Sequence, residues 1–236
     1  MTGKIVYRFK ESKNILYINL VARYSCTNDC VFCDRPKEGQ VSLQQNVYES
    51  VPGELYLSKS PGIDEIFAAL ETELRPSDSE ICIVGLGEPL LQFKKVSKLL
   101  RTIKFCASDR FTTRINTNGL VDCFHNNGKY SNAMELAISG LDAIKISVNA
   151  VNADDYAKLC RSHLKVPSEE IFDKLISFAQ GCKENRIDTY LSFVTDFSNG
   201  EVSSRSAEDY LRFAASIGFE ENHVILRKYI APPQSF

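Results

Sequence analysis

No stretch of this chain stays apolar for the roughly 18 to 20 residues that a membrane-spanning helix needs. The opening MTGKIVYRFKESK has no uninterrupted apolar core of the kind a secretory signal carries. Both absences lead to the expectation of a cytoplasmic protein with no membrane partner. An excess of one charge is also missing. The 28 Lys+Arg face 30 Asp+Glu, a formal charge of −2, so no long-range basic field points to nucleic acid. Histidine is scarce, and His125, His163 and His223 show no paired-ligand spacing. The eight cysteines do not form a disulfide framework, because Cys82, Cys106, Cys123, Cys160 and Cys182 are scattered singly. Those five read as core or incidental residues. No composition break marks a linker, and no second cysteine cluster follows the first.

What is present is ample core material in a regular order. With 44% hydrophobic residues in 236, the chain can bury a sizeable interior. Six apolar, β-branched runs read as strands: 15–23, 81–87, 111–119, 143–150, 187–196 and 224–230. Helical periodicity fills the gaps between them. One helix opens near Ser60-Pro61 and carries Ile63, Ile66, Phe67, Leu70 and Leu74. Others follow around Phe93–Ile103, 131–139 and Ser168–Cys182, and a last one is capped by Ser206 and Asp209 and stopped by Gly218. Alternation of this kind implies a parallel sheet covered by helices, either an open doubly wound sheet or an incomplete barrel. The unusual residues fall at the C-terminal ends of successive strands, which favours the barrel.

The first of those strand ends reads CTNDCVFCDR and places Cys26, Cys30 and Cys33 within eight residues. A structural zinc site is closed by four ligands, and this loop offers three. In a four-iron cluster each iron takes one external ligand, so three thiolates leave one iron open. An open position is the mark of a catalytic metal.

Cys-x3-Cys-x-aromatic-Cys after the first strand, with Phe32 in the aromatic slot, resembles the signature of the radical SAM superfamily. The resemblance implies a single [4Fe–4S] cluster held by Cys26, Cys30 and Cys33, with S-adenosylmethionine (SAM) chelating the open iron. It implies reductive cleavage of SAM to a 5′-deoxyadenosyl radical that abstracts hydrogen from a substrate. It implies oxygen sensitivity, and an electron donor such as flavodoxin or ferredoxin. The implied fold is α/β: a partial (β/α)6 TIM-like barrel of the radical SAM type, with parallel strands and outer helices. Residues 1–236 would form one core domain without an auxiliary cluster domain.

Further motifs carry the same likeness. GLGEP at 85–89 is similar to the superfamily's GGEP, which implies that a backbone carbonyl and Glu88 receive the SAM amino group. Gly85 and Gly87 would then permit close approach to the ligand, and Leu86 is a departure from the pattern. NTNG at 116–119 would bring Asn118 near SAM. Ser147 and Asn149 fit contacts to its ribose or carboxylate, Arg161 a pairing with its carboxylate, and Val194 packing on its adenine. Each residue also has a plainer reading: a strand-to-helix turn, an Asn-Gly turn, a solvated arginine, a core valine. Tyr24, Arg35, Arg227 and Tyr229 are expected at the same mouth, where substrate would enter, although both tyrosines also fit packing roles. The resemblance calls for no catalytic acid or base.

Across nearly the whole chain, INLVARYSCTNDCVFCDR, GLGEPLL, RINTNGL, ISVNAVNADDYAKLCR and LRKY resemble the TatD-associated radical SAM group. That likeness implies an association with a TatD-type hydrolase and leaves the substrate open among a small molecule, a peptide and an RNA segment. A 7-carboxy-7-deazaguanine synthase-like enzyme is disfavoured by Arg35, since a guanidinium cannot ligate a cation. A glycyl-radical activase would need an exposed docking surface. A non-catalytic iron–sulfur or zinc-binding module would not need GLGEP or NTNG.

Overall fold

β-branched residues crowd the backbone in a helix and pack well on a pleated sheet, and the strands form where those residues run together. The computed structural model describes residues 3–9, 12–33, 55–85, 87–107, 110–126 and 128–230. Arg35, Leu86 and the tail after Ile230 lie outside the described residues. The strands are β1 (Val6–Tyr7), β2 (Ile15–Asn19), β3 (Glu80–Val84), β4 (Thr112–Thr117), β5 (Ala143–Ser147), β6 (Asp188–Thr195) and β7 (Val224–Lys228). They make one seven-stranded sheet in chain order, with β2–β3, β3–β4 and β6–β7 parallel. The helices are α1 (Ile63–Glu73), α2 (Phe93–Ala107), α3 (Asn132–Ile138), α4 (Ala153–Cys160), α5 (Ser168–Glu184) and α6 (Ala207–Ser216).

Three features depart from the sequence expectations. The sheet has a seventh strand, since β1 pairs antiparallel with β2, Val6 against Ile18 and Tyr7 against Tyr17. Two residues are too few to show a period. Helix α1 begins at Ile63 rather than after Ser60. Its N-cap is Gly62, whose N–H donates to Glu65 Oε2 at 2.7 Å, while the Ser60 hydroxyl accepts from Lys95 Nζ at 2.6 Å. Helix α4, which the apolar spacing did not suggest, is capped by Asn152, whose Oδ1 accepts from Asp155 N at 2.8 Å.

Contacts divide the chain into two compact units. The first comprises Met1–Cys26, Asp34–Thr117 and Ile138–Ala143. Leu16 and Ile18 of β2, Ile81 and Ile83 of β3 and Ile115 of β4 are buried at its core. The opposite face of β2 and β3 carries Tyr17, Cys82 and Val84, packed with Tyr7 and Leu55. At the N-terminal end of these strands the Arg8 guanidinium, 1% exposed, grips Asp78 through both oxygens and donates to the carbonyls of Glu73 and Lys13. Burial alone would raise the Asp78 pKa. Hydrogen bonds from Arg8 and the Arg75 N–H outweigh it and hold the carboxyl below the ordinary range.

The second unit comprises Thr27–Cys33, Asn118–Ala137 and Ile144–Phe236. Phe193 of β6 stacks on Tyr210 of α6 with ring centroids 4.5 Å apart. The Tyr210 hydroxyl donates to Asn149 O at 3.3 Å, so α6 is tied to the end of β5. Ser206 caps α6 by accepting from Asp209 N at 3.1 Å, and Gly218 (φ +88) follows its end, as the sequence indicated.

Candidate active site at the strand ends

The boundary between the units falls inside the cysteine motif, after Cys26, and each side has its own architecture. On the first side the chain leaves β2 through two successive left-handed residues, Arg23 (φ 53) and Tyr24 (φ 52). Each costs roughly 1–2 kcal/mol for a residue with a Cβ. Hydrogen bonds fix the turn: Arg23 N donates to Leu57 O at 2.7 Å and Ser25 N to Ala22 O at 3.0 Å. Tyr24 is buried, 4% exposed, with its ring edge-on to Tyr56 at 5.2 Å. Packing rather than access to the mouth is its role.

The end of β3 presses against this turn. A Cβ on Gly85 would lie 2.1 Å from Val21 Cγ2, and one on Gly87 (φ +144) 2.3 Å from Ser25 O. Both positions therefore favour glycine, the first because the branched Val21 side chain lies there and the second because the Ser25 backbone does. Glu88 completes the joint. Its N–H donates to Ser25 O at 2.9 Å, and its buried Oε1 accepts from Leu90 N at 2.9 Å and Thr117 Oγ1 at 2.7 Å. The carboxylate thereby caps the 3-10 turn Pro89–Gln92 that leads into α2. GLGEP is both the turn of its plainer reading and a clamp on the residue before Cys26.

On the second side, α4 receives the rest of the cysteine loop. The last carbonyls of a helix have no partner within it, and here the loop supplies donors. Val31 N donates to Leu159 O at 2.9 Å, and Asp29 N to Cys160 O and Arg161 O at 3.2 Å each. His163 N in turn donates to Thr27 O at 2.8 Å. Asn28 is buried and donates from Nδ2 to the Tyr156 hydroxyl at 2.9 Å. Asn118, expected near SAM, donates from Nδ2 to Thr27 Oγ1 at 2.7 Å. It positions the loop next to Cys26. Arg161 ends α4 in the left-handed region (φ 43) and turns its Nε to Asp29 O at 2.9 Å. Thr27, Asn28, Tyr156 and the whole of α4 were not singled out from the sequence. The Asn152/Asp155 cap followed by apolar Tyr156, Leu159 and Cys160 was the available signal.

Asn149 joins β5 to β6. It lies in the left-handed region (φ 57), its N–H donates to Ser192 O at 3.3 Å and its Oδ1 accepts from Val194 N at 3.1 Å. The Val194 N–H needs an acceptor, which fixes the amide orientation. Among the described residues nothing accepts from Asn149 Nδ2 or bonds to the half-buried Ser147 hydroxyl. Val194 is 7% exposed. Phe32 meets Phe197 edge-on at 5.8 Å, and Phe197 meets Tyr229 at 5.0 Å. Arg227 is open to water yet hemmed in by protein. That crowding pulls its pKa below the ordinary guanidinium value, while the charge of the Cys30 and Cys33 thiolates works the other way.

None of the three motif cysteines is in a disulfide; Cys33 is exposed and Cys26 and Cys30 are half-buried. Among the described residues no three His, Cys, Asp or Glu side chains gather around a point where a single ion could be held. A cluster takes each thiolate on a separate iron, and the set of three thiols fits that use, with unspent donors at Ser147 and Asn149 in the second unit.

A family model for the radical SAM superfamily matches residues 23–195, from the turn before Cys26 to the end of β6. The chain belongs to the radical SAM superfamily. The superfamily is one of enzymes that use a [4Fe–4S] cluster and SAM. Solved structures similar to this chain include native anSMEcpe with bound AdoMet (SAM), with a TM-score of 0.61 and 15% identity over 92% of this chain and 52% of that one. HydG, a maturase of the [FeFe]-hydrogenase, gives a TM-score of 0.58 and 13% identity over 94% and 45%. Methylornithine synthase (PylB) gives 0.57 and 14% over 93% and 56%. The chain spans about half the length of these proteins, and at such identities the likeness is one of fold. No curated protein matches it.

Proposed function

We propose that this radical SAM protein initiates its reaction by reductive cleavage of SAM, with Cys26, Cys30 and Cys33 as the cluster ligands. When bound, the cluster and SAM supply a 5′-deoxyadenosyl radical that takes a hydrogen atom from the substrate. The observation that carries this reading is the way the cysteine loop is held. The backbone donors of Asp29 and Val31 are spent on the end of α4, so the loop is fixed while none of its thiols is tied up in a disulfide.

The chain's own residues divide the work. Gly85, Gly87 and Glu88 keep the turn before Cys26 in place, and Asn118 and Arg161 do the same for the segment after it. Ser147 and Asn149 Nδ2 keep hydrogen-bonding capacity for the ribose or carboxylate of SAM, and Val194 and Phe32 offer apolar surface to its adenine. A flavodoxin or ferredoxin would supply the electron. Membership of the TatD-associated group, with a TatD-type hydrolase as partner, rests on the passages quoted from the sequence.

The test is anaerobic reconstitution with iron and sulfide, reduction, addition of SAM and assay of 5′-deoxyadenosine, with EPR spectra before and after SAM. Product formation with a SAM-dependent change in the spectrum is expected. A cluster whose spectrum ignores SAM would return the protein to electron transfer, and a tetrahedral zinc site would overturn the reading.

A further inference from the structure

Arg227 occupies an unusual position for an arginine. β6 and β7 are parallel, with Val194 in register with Arg227 and Phe193 with Leu226. Neighbours in register point to the same face of a sheet, and successive residues alternate. Phe193 stacks on Tyr210 of α6, so its face is the helix-covered one. Val194 and Arg227 occupy the other, and the negative charge of the Cys30 and Cys33 thiolates is felt at the guanidinium. Two residues on, Tyr229 ends the edge-to-edge row Phe32–Phe197–Tyr229 beside it.

Among the described residues no carboxylate pairs with the guanidinium, and it makes no hydrogen bond. The shielded arginines of the first unit are different, since Arg8 pairs with Asp78 and Arg114 with Glu80. Arginine presents five donors in a rigid fork that matches a carboxylate or phosphate through two parallel bonds. A guanidinium that these residues leave unpaired keeps its donors for an anion from outside.

We infer that Arg227 anchors an anionic group of the substrate, a carboxylate or a phosphate, beside the row formed by Phe32, Phe197 and Tyr229. This rests on the radical SAM reading, which makes that face the substrate's side. Two other anions could meet the guanidinium, the cluster with its thiolates and the SAM carboxylate, and the experiment separates them.

The reconstituted protein is kept oxidised, so that no SAM is consumed, and treated with phenylglyoxal. Modification of each arginine is followed by peptide mass spectrometry, with exposed Arg212 as internal reference. Four states are compared: without cluster, with cluster, with cluster and SAM, and the last with added inorganic phosphate or succinate. Arg227 is expected to stay reactive with cluster and SAM bound. Either anion should then slow its modification about fivefold when present at about four times its dissociation constant, with Arg212 unchanged. Arg227→Gln should abolish the anion-induced rise in melting temperature seen with the native protein, and Arg227→Lys should keep only part of it. Protection by the cluster alone or by SAM alone overturns the proposal and assigns the arginine to the cofactors. Reactivity unmoved by either anion overturns it as well. None of these readings requires turnover, so a failure of SAM cleavage is seen separately in the 5′-deoxyadenosine assay.

Discussion

Arg8 and Arg227 are the same side chain put to opposite uses. Arg8 lies at the N-terminal end of the strands of the first unit, with both oxygens of Asp78 and two backbone carbonyls on its guanidinium. Arg227 lies on β7 of the second unit, where it feels the charge of two thiolates and, among the described residues, pairs with no carboxylate. A buried charge is tolerated when the chain satisfies it completely, and that describes the end of the molecule that maintains the fold. An exposed charge that the described residues leave unpaired describes the place that awaits a ligand. The difference teaches where to look for function: at cations and amides whose partners the protein declines to supply.

The sharpest way to break this contrast is to exchange the consequences of the two ends. Cys30→Ala should remove the cluster and take 5′-deoxyadenosine formation to background, with the melting temperature of the cluster-free protein unchanged. Cys182→Ala, in the buried face of α5, should keep both cluster and SAM cleavage. A Cys30 variant that still cleaves SAM would end the assignment. At the other end, Asp78→Asn or Arg8→Met should cost about 3–5 kcal/mol, the penalty for leaving one partner of a buried pair alone. Urea denaturation reads this directly, and activity per folded molecule should hold.

The same pair predicts a pH dependence. The Asp78 pKa is lowered in the folded state relative to about 3.9 in the unfolded chain. The unfolded state therefore binds the proton more readily. The stabilisation is complete above about pH 5 and is lost as pH falls through the folded pKa. Stability measured from pH 6 downward should decline less steeply in Asp78→Asn than in the native protein. Equal slopes would show that other carboxyls dominate.

Smaller effects belong to the joint between β3 and the cysteine turn. Gly87→Ala places a methyl 2.3 Å from Ser25 O at a φ of +144 and should cost about 1–3 kcal/mol, with weakened retention of the cluster. Thr117→Val removes a donor to Glu88 Oε1 and should cost about 1–3 kcal/mol. Circular dichroism melts and iron content would rank the two.

The order of strands and helices was legible because β-branched runs and 3.6-residue spacing are local signals. The three-cysteine loop was legible because eight residues contain it. The α6 cap was read correctly from Ser206, Asp209 and Gly218. What escaped was either too short or too distant. β1 has two residues, too few for a pattern. α4 has eight, and its apolar positions lie close together at one end. The need for glycine at 85 and 87 was foreseen, but for approach to a ligand, whereas the structure shows Val21 and Ser25 in the way. The bond from the Asn118 amide to Thr27, 91 positions earlier, was not foreseen. No local window contains such a pair. Arg227 was noticed at the mouth, but its lack of a partner is a property of three dimensions.

The docking of the cysteine loop on α4 also sets an order of events during synthesis. Asp29 and Arg161, which bond across that junction, lie 132 positions apart. At about 5–20 residues per second, that interval takes the ribosome roughly 7 to 26 s. Until α4 emerges, Cys26, Cys30 and Cys33 belong to a segment whose backbone donors have no helix end to meet. The loop can take up its held form only after α4 has been made, and a chain truncated before residue 153 would carry the cysteines without that support.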